Sequence, residues 1–307
     1  MIEINQLSKR FGSKLAVDNL TVTIRPGRVT GFLGPNGAGK STTRRMIVGL
    51  DRPTGGEVLI DGRRYADFPA PLRQVGALLD AKAMHPGRSP YHHLLALAVT
   101  AGIGRNRVRE VLDLVGLSEV AGRRTRTFSL GMGQRLGIAS ALLGDPPVIM
   151  LDEPVNGLDP DGIHWIRGLL RALAAEGRTI FVSSHLMSEM ALTADHLVIL
   201  GRGRLLADVA MAEMLAASSP SVLARTPQAD ALALALRQER ITFQRTEPQV
   251  LSITEEPLDR IAELAFAHQI VLHELKATHG SLEDAYLALT HDALEYVATT
   301  PASRRIA

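Results

Sequence analysis

Between the apolar run Val29–Leu33 and the helix-like stretch Ser41–Leu50 the chain carries Gly34-Pro35-Asn36-Gly37-Ala38-Gly39-Lys40-Ser41. The octapeptide fits G-x-x-x-x-G-K-[ST] in the strand–loop–helix setting which that pattern requires. Its chemistry follows from its residues. Glycines let backbone N–H groups converge on phosphate oxygens, and the helix N-terminus adds a partial positive charge. Lys40 is placed to reach the β- and γ-phosphates, and the Ser41 hydroxyl to ligate Mg²⁺. A chance glycine-rich turn is the plain alternative, and the flanking strand and helix argue against it.

A second segment gives the loop its counterpart. Pro147-Val148-Ile149-Met150-Leu151-Asp152-Glu153 is an apolar strand ending in two acids. Carboxylates at the C-terminal end of such a strand suit a nucleotide site in an open α/β sheet. Asp152 is expected to hold Mg²⁺, directly or through water, and Glu153 to polarise the attacking water. Alone, an Asp-Glu pair after a strand is an ordinary loop start, and only the upstream loop gives it weight.

Composition bounds the remaining classes. With 307 residues the chain has room for one large domain and a smaller one. A formal charge of +2 gives no reason to expect nucleic acid as a partner, and the absence of Cys excludes disulfides and thiolate metal sites. The sequence opens directly in strand-like Ile2-Glu3-Ile4-Asn5, without a signal-peptide pattern. Its longest apolar stretch, Leu94 to Ile103, falls short of the roughly 20 residues that span a bilayer. The expected location is therefore cytoplasmic, with any membrane role reached through a partner.

Short β-like runs occupy Met1 to Leu33. A mostly helical region follows from about Asp80 to Leu143, in which Ser89-Pro90 reads as a helix start and Val108, Val111, Leu112 and Val115 form an apolar stripe. Beyond it strands (Val148–Leu151, Thr179–Ser183, His196–Leu200, Arg204–Leu206) alternate with helices (Ile163–Ala175, Met187–Thr193), which predicts a mainly parallel covered sheet. A linker-like boundary falls near Ala216-Ala217-Ser218-Ser219-Pro220. After it come strands at Ser221–Arg225, Ile241–Arg245, Val250–Thr254 and Ile270–Leu275, with helices at Gln228–Gln238 and Leu258–His268. This strand-helix-strand order, taken twice, predicts a small split-βαβ module.

Thr127-Phe128-Ser129-Leu130-Gly131-Met132-Gly133-Gln134-Arg135-Leu136 narrows the family. With its Ser-x-Gly core it resembles the signature segment of ABC ATPases. Asn156-Gly157-Leu158-Asp159-Pro160 resembles their D-loop, Ser183-Ser184-His185 their switch histidine, and Phe11 the aromatic position that stacks on adenine. Each piece alone has a structural reading as a turn or core residue, and it is their order that carries the resemblance.

The resemblance covers Met1 to about Ala216. It implies an α/β P-loop ABC ATPase core with an antiparallel β-subdomain and a helical subdomain, the latter at about 80–143. The expected domains are 1–216, a small C-terminal α+β accessory module over 221–290, and a tail over 291–307. It also implies an ATP-sandwich dimer, in which the signature of one copy closes on the nucleotide held by the P-loop of the other. Implied site residues are Phe11, Gly34, Pro35, Asn36, Gly37, Ala38, Gly39, Lys40, Ser41, Thr42, Ser129, Gly131, Met132 and Asp159 for ATP. Ser41, Asp80 and Asp152 are implied for Mg²⁺, and Glu153 with His185 for catalysis.

Three positions in two segments depart from the family pattern. Leu130 replaces the first signature Gly and Met132 the Gln, while Asp80, after Val75-Gly76-Ala77-Leu78-Leu79, stands where a Q-loop Gln is usual. An acid there, with an appended C-terminal module, resembles the bacterial branch that exports drugs and peptide antibiotics, of the bacitracin-, lantibiotic- or daunorubicin-resistance type. The expected function is the ATP-hydrolysing subunit of an exporter, peripheral to the cytoplasmic face of the membrane through a separate permease that docks near Met84 to His93. The rival is a soluble ABC-family ATPase acting on ribosome or DNA. Such proteins usually carry two nucleotide domains or long coiled-coil insertions, and this sequence has neither. A P-loop kinase of small molecules leaves the signature and D-loop segments unexplained.

Overall fold

Alternating burial along Ile2, Ile4 and Leu7 marks a strand with one face inward, and the chain begins with two such strands. The computed structural model describes residues 1–80, 83–216, 221–254, 256–278 and 282–290. Strands β1 (Ile2–Phe11) and β2 (Lys14–Ile24) form a hairpin, followed by β3 (Arg28–Leu33) and helix α1 (Lys40–Ile47). Next come β4 (Gly55–Ile60), β5 (Val75–Leu78), α2 (Pro90–Thr100), α3 (Arg105–Leu114), α4 (Leu130–Leu142) and β6 (Val148–Asp152). The chain continues through α5 (Pro160–Ala175), β7 (Thr179–Ser183), α6 (Met187–Thr193), β8 (His196–Gly201) and β9 (Arg204–Ala210).

These elements make two sheets. One is antiparallel, in the order β2-β1-β4, and the other has the order β5-β6-β7-β3-β8-β9. In the second sheet every pairing is parallel except that of the edge strand β9. Both sheets feed one apolar core, in which Ile2, Ile4, Leu20 and Ile60 meet Phe32, Met150 and Phe181. The Phe32 and Phe181 rings lie 4.8 Å apart in a tilted pair. Helix α4 presses closely on β5: a Cβ on Gly76 would lie 1.9 Å from the Ala141 carbonyl oxygen.

A second compact unit spans Met211–Leu289. It holds α7 (Met211–Ala216), β10 (Ser221–Arg225), α8 (Ala229–Gln238), β11 (Phe243–Glu247), β12 (Val250–Thr254), α9 (Leu258–Ala267), β13 (Glu274–Thr278) and α10 (Leu282–Thr290). Its antiparallel sheet runs β11-β12-β10-β13, the ferredoxin-like order for β-α-β-β-α-β connectivity. Val222, Leu232, Leu236, Ile253 and Ile261 build a core of its own.

Several expected boundaries move. Helix α1 ends at Ile47, before Leu50, because Gly49 adopts a left-handed φ of 69°. Helix α5 starts at Pro160 and not Ile163, since Asp159 caps it and proline suits its first turn. Strand β9 runs on to Ala210, and Val75–Leu78 pairs with β6 as a strand absent from the sequence reading. In the second unit the last strand covers Glu274–Thr278, not Ile270–Leu275. Ile270 closes the end of α9 by donating its N–H to the Ala265 carbonyl, so pairing with β10 starts only at Glu274. Ile241 does the same to Leu236 at the end of α8, and β11 shifts to Phe243–Glu247. The expected linker residues 217–220 and the tail 291–307 lie outside the described residues.

Candidate nucleotide and metal site

Strand order decides which side chains meet. β7 lies between β6 and β3, and Asp152 pairs in register with Ser183, as Ser183 does with Phe32. The C-terminal ends of the three strands are thereby level, and the loop Gly34–Gly39 leaves β3 beside them. That loop is fixed by close approaches that only glycine allows. Gly39 has φ +97°, and a Cβ there would sit 2.5 Å from the Ala16 carbonyl oxygen of β2.

Lys40 Nζ folds back to donate to the carbonyls of Gly34 (2.5 Å) and Pro35 (3.1 Å). Burial, with Arg44 nearby, holds its pKa below the usual lysine value, against the pull of Glu153 and Asp152. Ser183 Oγ donates to Asp152 Oδ1 at 2.6 Å. Arg44 joins these groups: Nη1 donates to Asp152 Oδ1 and Ser183 Oγ, and Nη2 to Ser41 Oγ at 3.1 Å. Ser41 and Asp152 thus accept from the two arms of one guanidinium. An oxygen-only pair of this kind fits Mg²⁺, which takes one or two protein oxygens and completes its octahedron with waters and phosphates. Among the described residues no group of three or more His, Cys, Asp or Glu could hold a metal.

Glu153 follows Asp152 with a left-handed φ of 48°, a conformation that costs a non-glycine residue about 1–3 kcal/mol unless its surroundings hold it. Three backbone contacts do so. Its N–H donates to the Ser183 carbonyl, while its own carbonyl accepts from Asn156 N–H and from Gln134 Nε2 at 2.9 Å. The bend aims the carboxylate at His185, whose Nδ1 lies 2.7 Å and backbone N 3.3 Å from Oε2. Asp80 lines a cleft of about 690 Å³ together with Ser41 and Asp152. It also lines an adjoining one of about 400 Å³ that reaches Glu153.

The N-terminus of α4 borders this cluster, Leu130 lining the smaller cleft with Asp152 and Glu153. Ser129 caps α4 by accepting from the Met132 N–H at 3.2 Å, and Asp159 caps α5 through the Gly162 N–H at 3.0 Å. Gly131 allows the signature turn to touch the D-loop, since a Cβ there would lie 2.6 Å from the Gly157 carbonyl oxygen. Phe11 ends β1 with its ring half exposed, and Lys9 Nζ stands 4.9 Å from the ring centroid. Among the described residues, Phe11, Ser129, Met132 and Asp159 make no hydrogen bond or ion pair to Lys40, Ser41, Asp152 or Glu153.

Sequence reasoning missed Arg44, Gln134 and the bonding role of Ser183. One signal was available for Arg44. It shares the buried face of α1 with Thr43, Met46 and Ile47, and an arginine among apolar helix positions requires a partner. Gln134 and Ser183 are ordinary polar residues whose partners are distant in sequence.

Residues 17–156 match a family model described as ABC transporter, and residues 220–283 match one described as a domain of unknown function. An uncharacterised ABC transporter ATP-binding protein of Bacillus subtilis, YhcH, is 37% identical over 97% of this chain and 98% of its own length. The bacitracin transport ATP-binding protein BcrA of Bacillus licheniformis is 42% identical, over 68% of this chain and 69% of that protein. A solved dimeric, post-hydrolysis ATP-binding cassette with bound ADP and Pi, MJ0796, superposes with a TM-score of 0.63 at 25% identity. The superposition covers 69% of this chain and 99% of that one.

Proposed function

This chain belongs to the ABC transporter ATP-binding family, and on that premise we propose that two copies close over two Mg-ATP to drive a membrane-spanning exporter of a peptide antibiotic or drug. The chain is an ATPase of the cassette type, and none of its described helices is long and apolar enough to cross a membrane. One observation carries the dimer reading. Lys40, Ser41, Asp152 and Glu153 converge at the C-terminal ends of β3 and β6, whereas the helix N-terminus at Ser129–Met132 bonds to none of them. A second copy supplying that N-terminus completes the charge neutralisation of the γ-phosphate. The dimeric cassette structure and the bacitracin transport relative support the assembly and the class of cargo.

Each residue's part follows from where it stands. Lys40 exchanges its two loop carbonyls for phosphate oxygens, and Phe11 offers its open ring to adenine. Mg²⁺ held by Ser41 and Asp152 would supply positive charge to the β- and γ-oxygens. Glu153 accepts the proton of the attacking water, and His185 fixes its carboxylate. Residues 1–216 act as the nucleotide-binding domain, and 221–290 as an accessory module. Asp80 is the expected substitute for a Q-loop glutamine. Asp80→Ala is expected to raise the Mg²⁺ concentration needed for half-maximal hydrolysis several-fold, and Asp80→Gln to keep it near the wild-type value. An unchanged Mg²⁺ dependence in the alanine variant would leave Asp80 with a purely structural role.

The permease docks over the cleft bordered by Met84, His93 and Leu97, beside Asp80. A stable contact there needs about 1,000 Å² of buried surface or more. Co-expression with a multi-spanning membrane protein encoded beside this chain, with crosslinkers at residues 84–93, tests the reading. A crosslinked complex with altered ATPase rate is expected. Failure to associate, with ATP hydrolysed identically in its presence, overturns the transporter assembly in favour of a free ATPase.

A further inference from the structure

Arg44 lies in the last turn of α1 and is only 3% exposed. Two of its nitrogens hold Asp152, Ser183 and Ser41, and its Nε is buried with no hydrogen-bond partner among the described residues. A buried ion pair is ordinarily a structural element with little net effect on stability. Here, though, the partners are the two oxygens assigned to Mg²⁺, so this inference rests on that assignment. A fixed positive charge already bonded to both ligands does what a metal does in a resting site. It neutralises Asp152 and holds Ser41 and Asp152 in place. It also opposes the metal, because a divalent ion must share Asp152 with a cation a few ångströms away.

We propose that Arg44 is a tethered cation that competes with Mg²⁺ for Asp152 and Ser41, so that the site takes up metal only together with nucleotide. The phosphates of ATP bring the negative charge that offsets the repulsion, and they supply the ligands that a guanidinium cannot replace. The missing hydrogen bond at Nε leaves the guanidinium incompletely satisfied in its resting position, which lowers the cost of its turning away as the metal arrives. Metal-free protein then keeps Asp152 neutralised, and metal entry reports that nucleotide is bound.

Mn²⁺ titration followed by the EPR signal of the free ion, with and without ADP, reads this without any turnover. Wild-type protein is expected to bind Mn²⁺ at least about tenfold more weakly without ADP than with it. Arg44→Met and Arg44→Gln, the second keeping hydrogen-bonding capacity without charge, are expected to bind Mn²⁺ alone at least about tenfold more tightly than wild type. Affinities within twofold of wild type in either folded variant overturn the proposal. So does wild-type protein that binds Mn²⁺ equally with and without ADP, a measurement that needs no variant to fold. Asp152→Asn separates the premise from the inference. If Mn²⁺·ADP binding survives that change undiminished, the assignment of the metal ligands is wrong. If it is lost while the Arg44 variants match wild type, only the role of Arg44 fails.

Discussion

Glu153→Gln is expected to lower steady-state ATP hydrolysis by about 10²–10⁴-fold while leaving ATP binding intact. An amide cannot take the proton of the attacking water, yet it matches the carboxylate in size. The surrounding bonds survive the change. The Ser183 carbonyl still accepts the backbone N–H, Gln134 and Asn156 still donate to the carbonyl, and His185 still has an oxygen within reach. The left-handed backbone at this position therefore persists, and the nucleotide pocket formed by Lys40 and Ser41 is untouched. With hydrolysis blocked and binding preserved, ATP is expected to hold the proposed dimer closed. Gel filtration with ATP should show a species of twice the mass, absent with ADP. Turnover near the wild-type rate in this variant would place the base elsewhere.

Gly76→Ala should lower the melting temperature of the main unit by roughly 6–12 °C, the range for a loss of about 3 kcal/mol in a domain of this size. Gly76 lies in β5 directly beneath α4, where the added Cβ meets the Ala141 carbonyl oxygen at 1.9 Å and Pro146 at 2.9 Å. A flexible side chain could yield to such an intrusion, but a helix backbone cannot. Relief requires moving α4, the helix that carries Ser129 at its N-terminus, away from the sheet. Gly168→Ala provides the contrast. That glycine sits within α5 with nothing near its missing Cβ, so alanine there is expected to stabilise by about 0.5–1 kcal/mol. Equal melting temperatures for the two variants would mean that the packing of α4 on β5 yields easily.

Much of the site was legible before any coordinates. The loop Gly34–Ser41 and the strand ending at Asp152 and Glu153 are contiguous signals, each setting local chemistry through residues within one turn or strand. The helix start at Ser89 was similarly readable, since a cap acts over three residues and its side chain accepts the His92 N–H. Boundaries in the second unit were less legible. Ile241 and Ile270 are β-branched and apolar, as strand residues are, but each closes a helix end before its strand begins.

What the sequence determined by itself was therefore which groups the proposed nucleotide site offers, because phosphate binding and proton transfer need particular groups at short, fixed spacing. What only the tertiary structure decided was who stands beside whom across the sheet. The order β6-β7-β3 places Ser183 against Asp152, and one turn of α1 lays Arg44 across both and onto Ser41. Gln134 reaches Glu153 only because α4 rests on β5. Apart from that of Arg44 with Ser41 within α1, such contacts join residues from 19 to 139 positions apart. No local propensity encodes them. They arise when burial of Phe32, Met150 and Phe181 in a common core fixes the strands side by side, carrying the polar groups at their ends into contact.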